Sequence, residues 1–185
     1  TLNDPGGSGG GSGGGSGGGS GGGSNNGTWI KPGPDNTGPT NPSILVPSGS
    51  ITVTQDGTVI ENVSVSGTIT VFASNVTIRN FRIDTQDSLY SINIKSEASN
   101  VLIEDGELYN MNMFGVLGAN FTARRLNVHH SGSGGFRTRG NVLVESCWIH
   151  HIGTTPDAHA DGNQTRLGSN FIFRGNFFDV PAPES

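Results

Sequence analysis

Residues 75–85 read NVTIRNFRIDT and residues 100–110 read NVLIEDGELYN, so one pattern returns after 25 residues without a gap. Four more segments share this pattern, and the six units begin at residues 57, 75, 100, 120, 141 and 170. Steps of 18 to 29 residues match the length of one turn of a β-solenoid, in which insertions fall in loops. Each repeat is therefore expected to stack on the one before it.

Apolar and polar residues alternate within each unit. The second and fourth positions are mostly apolar, as in Val76 and Ile78, and the ninth position is apolar in all six units. A period of two, together with many β-branched residues, indicates strands that bury one face.

The fifth position fixes how the units stack, because its charge changes sign at every step. Its residues form a charge ladder: Glu61, Arg79, Glu104, Arg124, Glu145 and Arg174. Equivalent positions of successive turns lie about 4.8 Å apart in a parallel β-helix, where opposite charges favour each other and like charges repel. The sequence therefore predicts an all-β fold, a right-handed, single-stranded parallel β-helix of about six turns. The charge ladder itself is interpreted as structural and solvent-exposed.

The N-terminal part of the chain has a different composition. Residues 6–24 are almost entirely Gly and Ser in a GGGS pattern, and Gly, Pro, Asn and Thr dominate the stretch that follows. Such segments behave as flexible coils. Residues 1–42 are predicted to be a disordered linker, covalently joined to an upstream domain. Residues 43–185 are predicted to be the β-helix domain, truncated at its C-terminal end.

Composition excludes several classes of function. The net charge of −5 argues against nucleic acid as a partner, because phosphate binding needs a basic face. No run is apolar enough to span a membrane. The single cysteine, Cys147, excludes an internal disulfide and is interpreted as a small buried hydrophobic residue rather than a nucleophile.

The register also arranges polar residues in rows. It places His129 beside His150 and His130 beside His151, and stacked imidazoles are expected to have lowered pKa values because protonating both is costly. One member of each pair is expected to point outward. The predicted outward row is Asp84, Tyr109, His129, His150 and Asp179.

A second predicted strand in each turn carries basic residues. If Phe136 and Thr138 point inward, Arg137 and Arg139 point outward, and the same offset brings Gln164 and Arg166 beside them in the next turn. In residues 157–161, Asp157, His159 and Asp161 alternate with alanine. An extended conformation there would place both carboxylates and the imidazole on one face.

These residue types suit an anionic or polyhydroxylated ligand. Arginine offers a planar fork to carboxylates, and histidine is a suitable base for removing the proton next to a uronate carboxyl group. The predicted catalytic residues are His159, Asp161, Arg137 and His150. The predicted substrate-binding residues are Arg139, Gln164, Arg166, His129, Asp157 and Tyr109.

Structural explanations remain open for the same residues. The histidines can form a polar ladder, Asp157 and Asp161 can cap turns, and a His159–Asp161 hydrogen bond can hold the loop. No cofactor and no metal ligands are predicted. Ca²⁺ on Asp157, His159 and Asp161 is a weaker alternative, because Ca²⁺ prefers oxygen ligands only.

From residue 29 to residue 180 the chain resembles parallel β-helix proteins of the pectin-lyase-like superfamily, and more narrowly a group found in actinobacteria and their phages. The resemblance rests on a Trp- and Pro-rich entry at residues 29–38, an N-V-T-I-x-N strand at residues 75–80, and an H-x-D-G-x-Q signature at residues 159–164. It implies a right-handed β-helix. Asn163 departs from the pattern, because an apolar residue usually follows the signature glycine.

Two functions are consistent with these features. The first is an extracellular polysaccharide-processing protein, secreted, at the cell surface or on a virion, that acts on an acidic glycan by lyase-like chemistry. The alternative is a glycan-binding module, or a structural β-helix of a phage tail or cell surface, without catalysis. In both cases the expected partner is a polysaccharide, with neither nucleic acid nor membrane involved.

Overall fold

A computed structural model describes residues 29–156 and 158–180. Within them lie one short 3-10 helix, Pro42–Ile44, and sixteen strands. The strands are β1 (Val46–Ser48), β2 (Ile51–Val53), β3 (Val59–Ser66), β4 (Ile69–Val71), β5 (Thr77–Asp84), β6 (Tyr90–Ile94), β7 (Val101–Met111), β8 (Phe114–Gly118), β9 (Phe121–Arg124), β10 (Asn127–Ser131), β11 (Gly134–Thr138), β12 (Val142–Glu145), β13 (Trp148–Ile152), β14 (Asp161–Thr165), β15 (Phe171–Arg174) and β16 (Phe177–Asp179). No helix among the described residues is long and apolar enough to cross a membrane.

The strands form two parallel sheets that wind as a β-solenoid. In the larger sheet the order is β1-β3-β5-β7-β10-β13-β16, with β9, β12 and β15 stacked beside this path, and in the smaller sheet it is β14-β11-β8-β6-β4-β2. The chain visits the larger sheet and then the smaller one in every turn. The six sequence units delimit about five complete turns. The predicted all-β parallel β-helix is confirmed.

A residue with positive φ interrupts the larger sheet at the sixth position of each unit. These residues are Asn62, Asn80, Asp105, Arg125, Ser146 and Gly175, with φ between 45° and 62°. Asn and Asp tolerate this left-handed conformation better than most residues. The chain bends there and divides each unit's part of the larger sheet in two. The residues before the bend form the first flank of the sheet, and the residues after it form the second flank.

The core is a continuous apolar stack inside the solenoid. Ile78, Ile103, Ala123 and Val144 are fully buried at the fourth position, and Ile83, Leu108, Val128 and Ile149 follow the same row at the ninth. Phe81 and Gly106 are register partners in adjacent turns. The Phe81 ring fills the space that a side chain at residue 106 would occupy.

The charge ladder has the predicted register. Glu61 aligns with Arg79, Arg79 with Glu104, Glu104 with Arg124, Arg124 with Glu145, and Glu145 with Arg174. The side chains pair in three steps, Glu61–Arg79, Glu104–Arg124 and Glu145–Arg174, at 2.6 to 2.7 Å. The arginine side chains are 36–66% exposed, whereas Glu104 and Glu145 are mostly covered, so the predicted exposure holds for only part of the ladder. Ion pairs that water can reach contribute little stability each, so their main effect is on strand register.

A segment before the first strand crosses the whole solenoid. This strap, residues 29–41, begins at the last turn, where the Trp29 indole N–H donates to the Gly175 carbonyl at 3.1 Å. Farther along, the Gly38 N–H donates to the Arg125 carbonyl at 3.0 Å. The strap ends near the first turns, where the Asn41 N–H donates to Asn80 Oδ1 at 2.9 Å. Residues 29–42 fall within the predicted linker, yet they contact the positive-φ bends of the solenoid. Residues 1–28, with the Gly/Ser tract, lie outside the described residues.

Cys147 is fully buried, as predicted, and we expect it to be chemically inert in the native protein. Burial raises the pKa of its thiol to about 12, so the reactive thiolate is scarce near neutral pH. Native protein treated with iodoacetamide at pH 8 should stay unmodified by intact-mass spectrometry, whereas urea-unfolded protein should gain one adduct. Full modification of the native protein within minutes would contradict this interpretation.

Candidate functional site

The predicted polar row runs along the second flank of the larger sheet. Asp84 aligns with Tyr109, Tyr109 with His129, His129 with His150, and His150 with Asp179. The Tyr109 and His129 rings stack at 5.5 Å between centroids, and those of His129 and His150 at 5.0 Å. The row is not uniformly open to solvent, because His150 is only 7% exposed. The Trp148 ring covers it at 3.7 Å, and this cover was missing from the sequence prediction.

Four imidazoles come together in this row. His130 and His151, which have positive φ, turn back beside His129 and His150 and stack on each other at 5.4 Å. The Nδ1 atoms of His129 and His130 are 2.6 Å apart, and so are those of His150 and His151. We call these four residues the histidine tetrad.

The outer nitrogens of the two inner rings have fixed partners. His129 Nε2 lies 3.0 Å from Glu107 Oε1, and His150 Nε2 lies 2.8 Å from Asn127 Oδ1. Both oxygens are acceptors, so both Nε2 atoms carry hydrogen. In the neutral rings the Nδ1 atoms of His129 and His150 are therefore acceptors, and His130 and His151 donate to them from Nδ1.

Two members of the tetrad, His130 and His150, have lowered pKa values. Burial, followed by repulsion from the other three imidazoles, lowers the pKa of His150 to about 4. Burial and the neighbouring rings of His129 and His151 also lower the pKa of His130. The hydrogen bond from His129, with help from Arg82, lowers the pKa of Glu107. The predicted downward shifts are confirmed for His130 and His150, although burial rather than stacking is the larger cause.

A second group of predicted residues lies on the smaller sheet. Phe136 and Thr138 are buried and Arg137 and Arg139 face outward, as predicted. Arg137 aligns with Gln164 in the next turn. Its guanidinium lies 5.5 Å from the Phe114 ring centroid and donates a long hydrogen bond of 3.5 Å to Tyr90 Oη. We call Arg137, Arg139, Gln164 and Arg166 the arginine face.

The arginines of the arginine face differ from the others in their pairing with the carboxylates that the structure describes. Arg79, Arg82, Arg124, Arg125 and Arg174 each form an ion pair with Asp or Glu. Within residues 29–156 and 158–180, no ion pair involves Arg137, Arg139 or Arg166. Arg137 lies in β11, and Arg139 and Arg166 directly follow β11 and β14, so these three guanidinium groups lie on adjacent turns.

The signature segment is only partly assembled. Strand β14 begins at Asp161, and Gln164 connects Asp161 to Arg166 through hydrogen bonds of 3.4 and 3.3 Å. His159 precedes the strand in an exposed loop, where its carbonyl accepts from the Asp161 N–H. Asp157 lies outside the described residues, so the proposed shared face of residues 157–161 is not established.

Asn163 points inward at the position where the resembled group has an apolar residue. Its Oδ1 accepts from the Thr138 hydroxyl at 3.1 Å and its amide donates to Thr165 Oγ1 at 2.9 Å. Asn163 is only half-buried in the last described turn of the smaller sheet, so water and these two threonines can satisfy its amide group.

The structure thus separates the predicted site into two groups. No hydrogen bond or ion pair between described residues joins the histidine tetrad to the arginine face. Glu107, Asn127 and Trp148 were missed, although the register places all three at the eighth position of their units. Comparisons with protein-family models, with curated proteins and with solved structures found no match to this chain.

Proposed function

We propose that this protein acts on an acidic polysaccharide outside the cytoplasm and binds it through the arginine face. The observation that carries this proposal is the presence on adjacent turns of three guanidinium groups that form no ion pair with any described carboxylate, whereas the other five arginines are all paired. Stacked turns repeat about every 4.8 Å, so a polymer with regularly spaced carboxylates can meet successive arginines. Gln164 adds an amide for sugar hydroxyl groups.

Within this proposal, the reaction is an elimination from a uronate. Arg137 binds the carboxylate and stabilises the negative charge that develops on it. The exposed imidazole of His159 removes the proton on the carbon next to the carboxyl group, the bond to the glycosidic oxygen breaks, and a carbon–carbon double bond forms. The departing oxygen takes up a proton from water. Asp161 positions Gln164 through their hydrogen bond.

The binding step is tested with a triple variant, Arg137→Gln, Arg139→Gln and Arg166→Gln. A charge-assisted hydrogen bond contributes about 1.5–3 kcal/mol, so we expect at least a tenfold loss of affinity for polygalacturonate, alginate or hyaluronan in calorimetry. The matched control changes three ladder residues, Arg79, Arg124 and Arg174, to Gln. It removes the same net charge but leaves the arginine face intact. An equal loss of affinity in both variants would show that only the net charge matters, and it would contradict the proposed site.

The reaction is tested by ultraviolet absorbance of unsaturated uronate ends. We expect the signal to grow with the wild type and to disappear in His159→Ala, while calorimetric binding persists. Retention of the signal in His159→Ala would remove this histidine from the mechanism. Absence of signal on every acidic glycan that binds would leave a binding protein.

A non-catalytic module is the second candidate, either glycan-binding or structural in a phage tail or cell surface. It is favoured by the exposed position of His159, and by the finding that no hydrogen bond or ion pair between described residues joins the tetrad to the arginine face. Membership of the pectin-lyase-like superfamily belongs to the same set of proposals. It is supported by the parallel β-helix and by the H-x-D-G-x-Q residues 159–164.

A further inference from the structure

The histidine tetrad has no role in the function proposed above, yet its geometry depends on how many protons it holds. The two Nδ1 atoms of each pair, His129 with His130 and His150 with His151, are 2.6 Å apart. One hydrogen fits between two nitrogens at this distance, donated by one ring and accepted by the other. A protonated imidazole carries hydrogen on both of its nitrogens. A pair can therefore gain one proton without moving, whereas a second would bring two N–H groups head to head.

We infer that the histidine tetrad is an acid-operated conformational switch, in which a second proton on either pair breaks its Nδ1–Nδ1 contact and turns His130 or His151 out into solvent. These two rings are the ones that move, because both residues are exposed and their only hydrogen bonds with described side chains are those within the pairs. His129 and His150 stay in place, because each still donates a hydrogen bond from Nε2 after protonation.

Stacking between the turns couples the two pairs. The rings of His129 and His150 lie 5.0 Å apart between centroids, and those of His130 and His151 lie 5.4 Å apart. Like charges at this separation repel, so a proton on one pair disfavours a proton on the other while the rings remain stacked. Turning an outer ring into solvent increases the separation and hydrates the charge. Opening of the switch and uptake of protons therefore favour each other.

The charged groups around the tetrad decide which pair is protonated first. Glu107 lies against His129, and Arg82 is paired with this carboxylate. His150 instead contacts the neutral amide of Asn127. The other described titratable groups on the neighbouring strands and the strap are Asp84, Tyr109, Asp179, Lys31 and Asp35. Asp179 contributes less to the pKa of His150 than repulsion from any of the other three imidazoles. A carboxylate stabilises a neighbouring imidazolium, so the first proton is expected on the pair that contains His129, which remains closed.

Lowered pKa values agree with this direction of change. Burial, followed by repulsion from the other imidazoles, lowers the pKa of His150 to about 4, and the pKa of His130 is lowered by the same two causes. A lowered pKa in the closed arrangement means that an open arrangement binds protons more readily. The open population therefore grows as the pH falls below the ordinary histidine value of about 6.5 toward 4. The switch is closed at neutral pH and opens on acidification.

Protonation of each ring is followed by nitrogen-15 NMR of the full chain, without a histidine tag, between about pH 8 and pH 3.5. Movement is followed at Trp148, whose ring stacks on His150 at 3.7 Å, by fluorine NMR after labelling with 5-fluorotryptophan. Trp29→Phe assigns the two signals, since the chain has two tryptophans. We expect a reversible change of the Trp148 signal between about pH 6.5 and about pH 4. The change should be steeper than a one-proton curve, and the β-sheet circular dichroism should stay the same.

The double variant His130→Asn and His151→Asn removes the moving rings and should lose the steep transition. Asparagine tolerates the positive φ of both positions, and the Tm of the variant at neutral pH checks its folding. His159→Asn removes an exposed histidine outside the tetrad and should keep the transition.

Three results would overturn the inference. They are an unchanged transition in the double variant, no transition in the wild type down to about pH 3.5, and loss of the β-sheet circular dichroism in the same pH range as the Trp148 change. The two wild-type results decide the matter if the double variant does not fold. None of these results depends on the arginine face, whose variants should keep the transition.

Discussion

Replacing Phe81 with alanine is expected to lower the free energy of unfolding by about 3–5 kcal/mol, the usual cost of removing a buried phenylalanine ring. Phe81 is completely buried. Its partner in the next turn is Gly106, where an added Cβ would lie 2.2 Å from two carbons of the ring. Urea denaturation followed by circular dichroism measures the loss.

The energetic coupling between Phe81 and Gly106 gives a more specific test of this packing. Gly106→Ala alone should cost about 1–3 kcal/mol through overpacking, but it should cost almost nothing in the Phe81→Ala background, where the ring is absent. Coupling of contacting residues commonly reaches 0.5–3 kcal/mol. Phe136→Ala removes an equally buried ring from the smaller sheet and should add independently to Gly106→Ala. Simple additivity of Phe81→Ala and Gly106→Ala would contradict the packing described.

Asn80→Ala is expected to cost about 3–5 kcal/mol, because one buried side chain connects the strap to the solenoid. Asn80 Oδ1 accepts from the Asn41 N–H, and its amide donates to Asn62 Oδ1 at 2.6 Å and to the Asn41 carbonyl at 3.3 Å. Each hydrogen bond contributes about 1 kcal/mol net. The positive φ of 45° adds about 1–2 kcal/mol for alanine.

Glycine variants separate the hydrogen bonds from the backbone conformation. Asn80→Gly keeps the positive φ available and should still cost about 2–3 kcal/mol, one contribution for each bond lost. Asn75→Gly is the matched control, since Asn75 has φ of 58° and an exposed side chain that accepts one bond, from Asn100. It should cost less than about 1 kcal/mol. Equal destabilisation by both variants would show that the hydrogen bonds of the Asn80 side chain contribute nothing to stability.

Much of the fold was predictable because a solenoid repeats one local arrangement. The alternating charges at the fifth position have a physical explanation only if each unit lies on the next, and this fixed the strand register. The same register predicts that His129 lies beside His150 and Arg137 beside Gln164, and both pairs are present in the structure. An alignment of the sequence units therefore predicts which residues lie beside each other in successive turns.

Contacts outside the repeat could not be predicted in this way. The strap has no periodicity, and its Gly- and Pro-rich composition is typical of a linker, so its bonds to Gly175 and Asn80 leave no signal in the sequence. Burial of His150 depends on the tilt of the Trp148 ring, which the register does not specify. Asp161 joins Gln164 while His159 stays apart, because the strand begins at residue 161 and the preceding loop is irregular.

The course of the strap also determines how the solenoid responds to tension. Trp29 is held at Gly175, so a pull on the chain ahead of Trp29 is applied at the last turn, although the strap continues to the first. The pulling force reaches the attachments of the strap in chain order, so they break one at a time, starting at Trp29. Force spectroscopy through residues 29 and 180 should show small early ruptures, followed by the larger ones of the stacked turns.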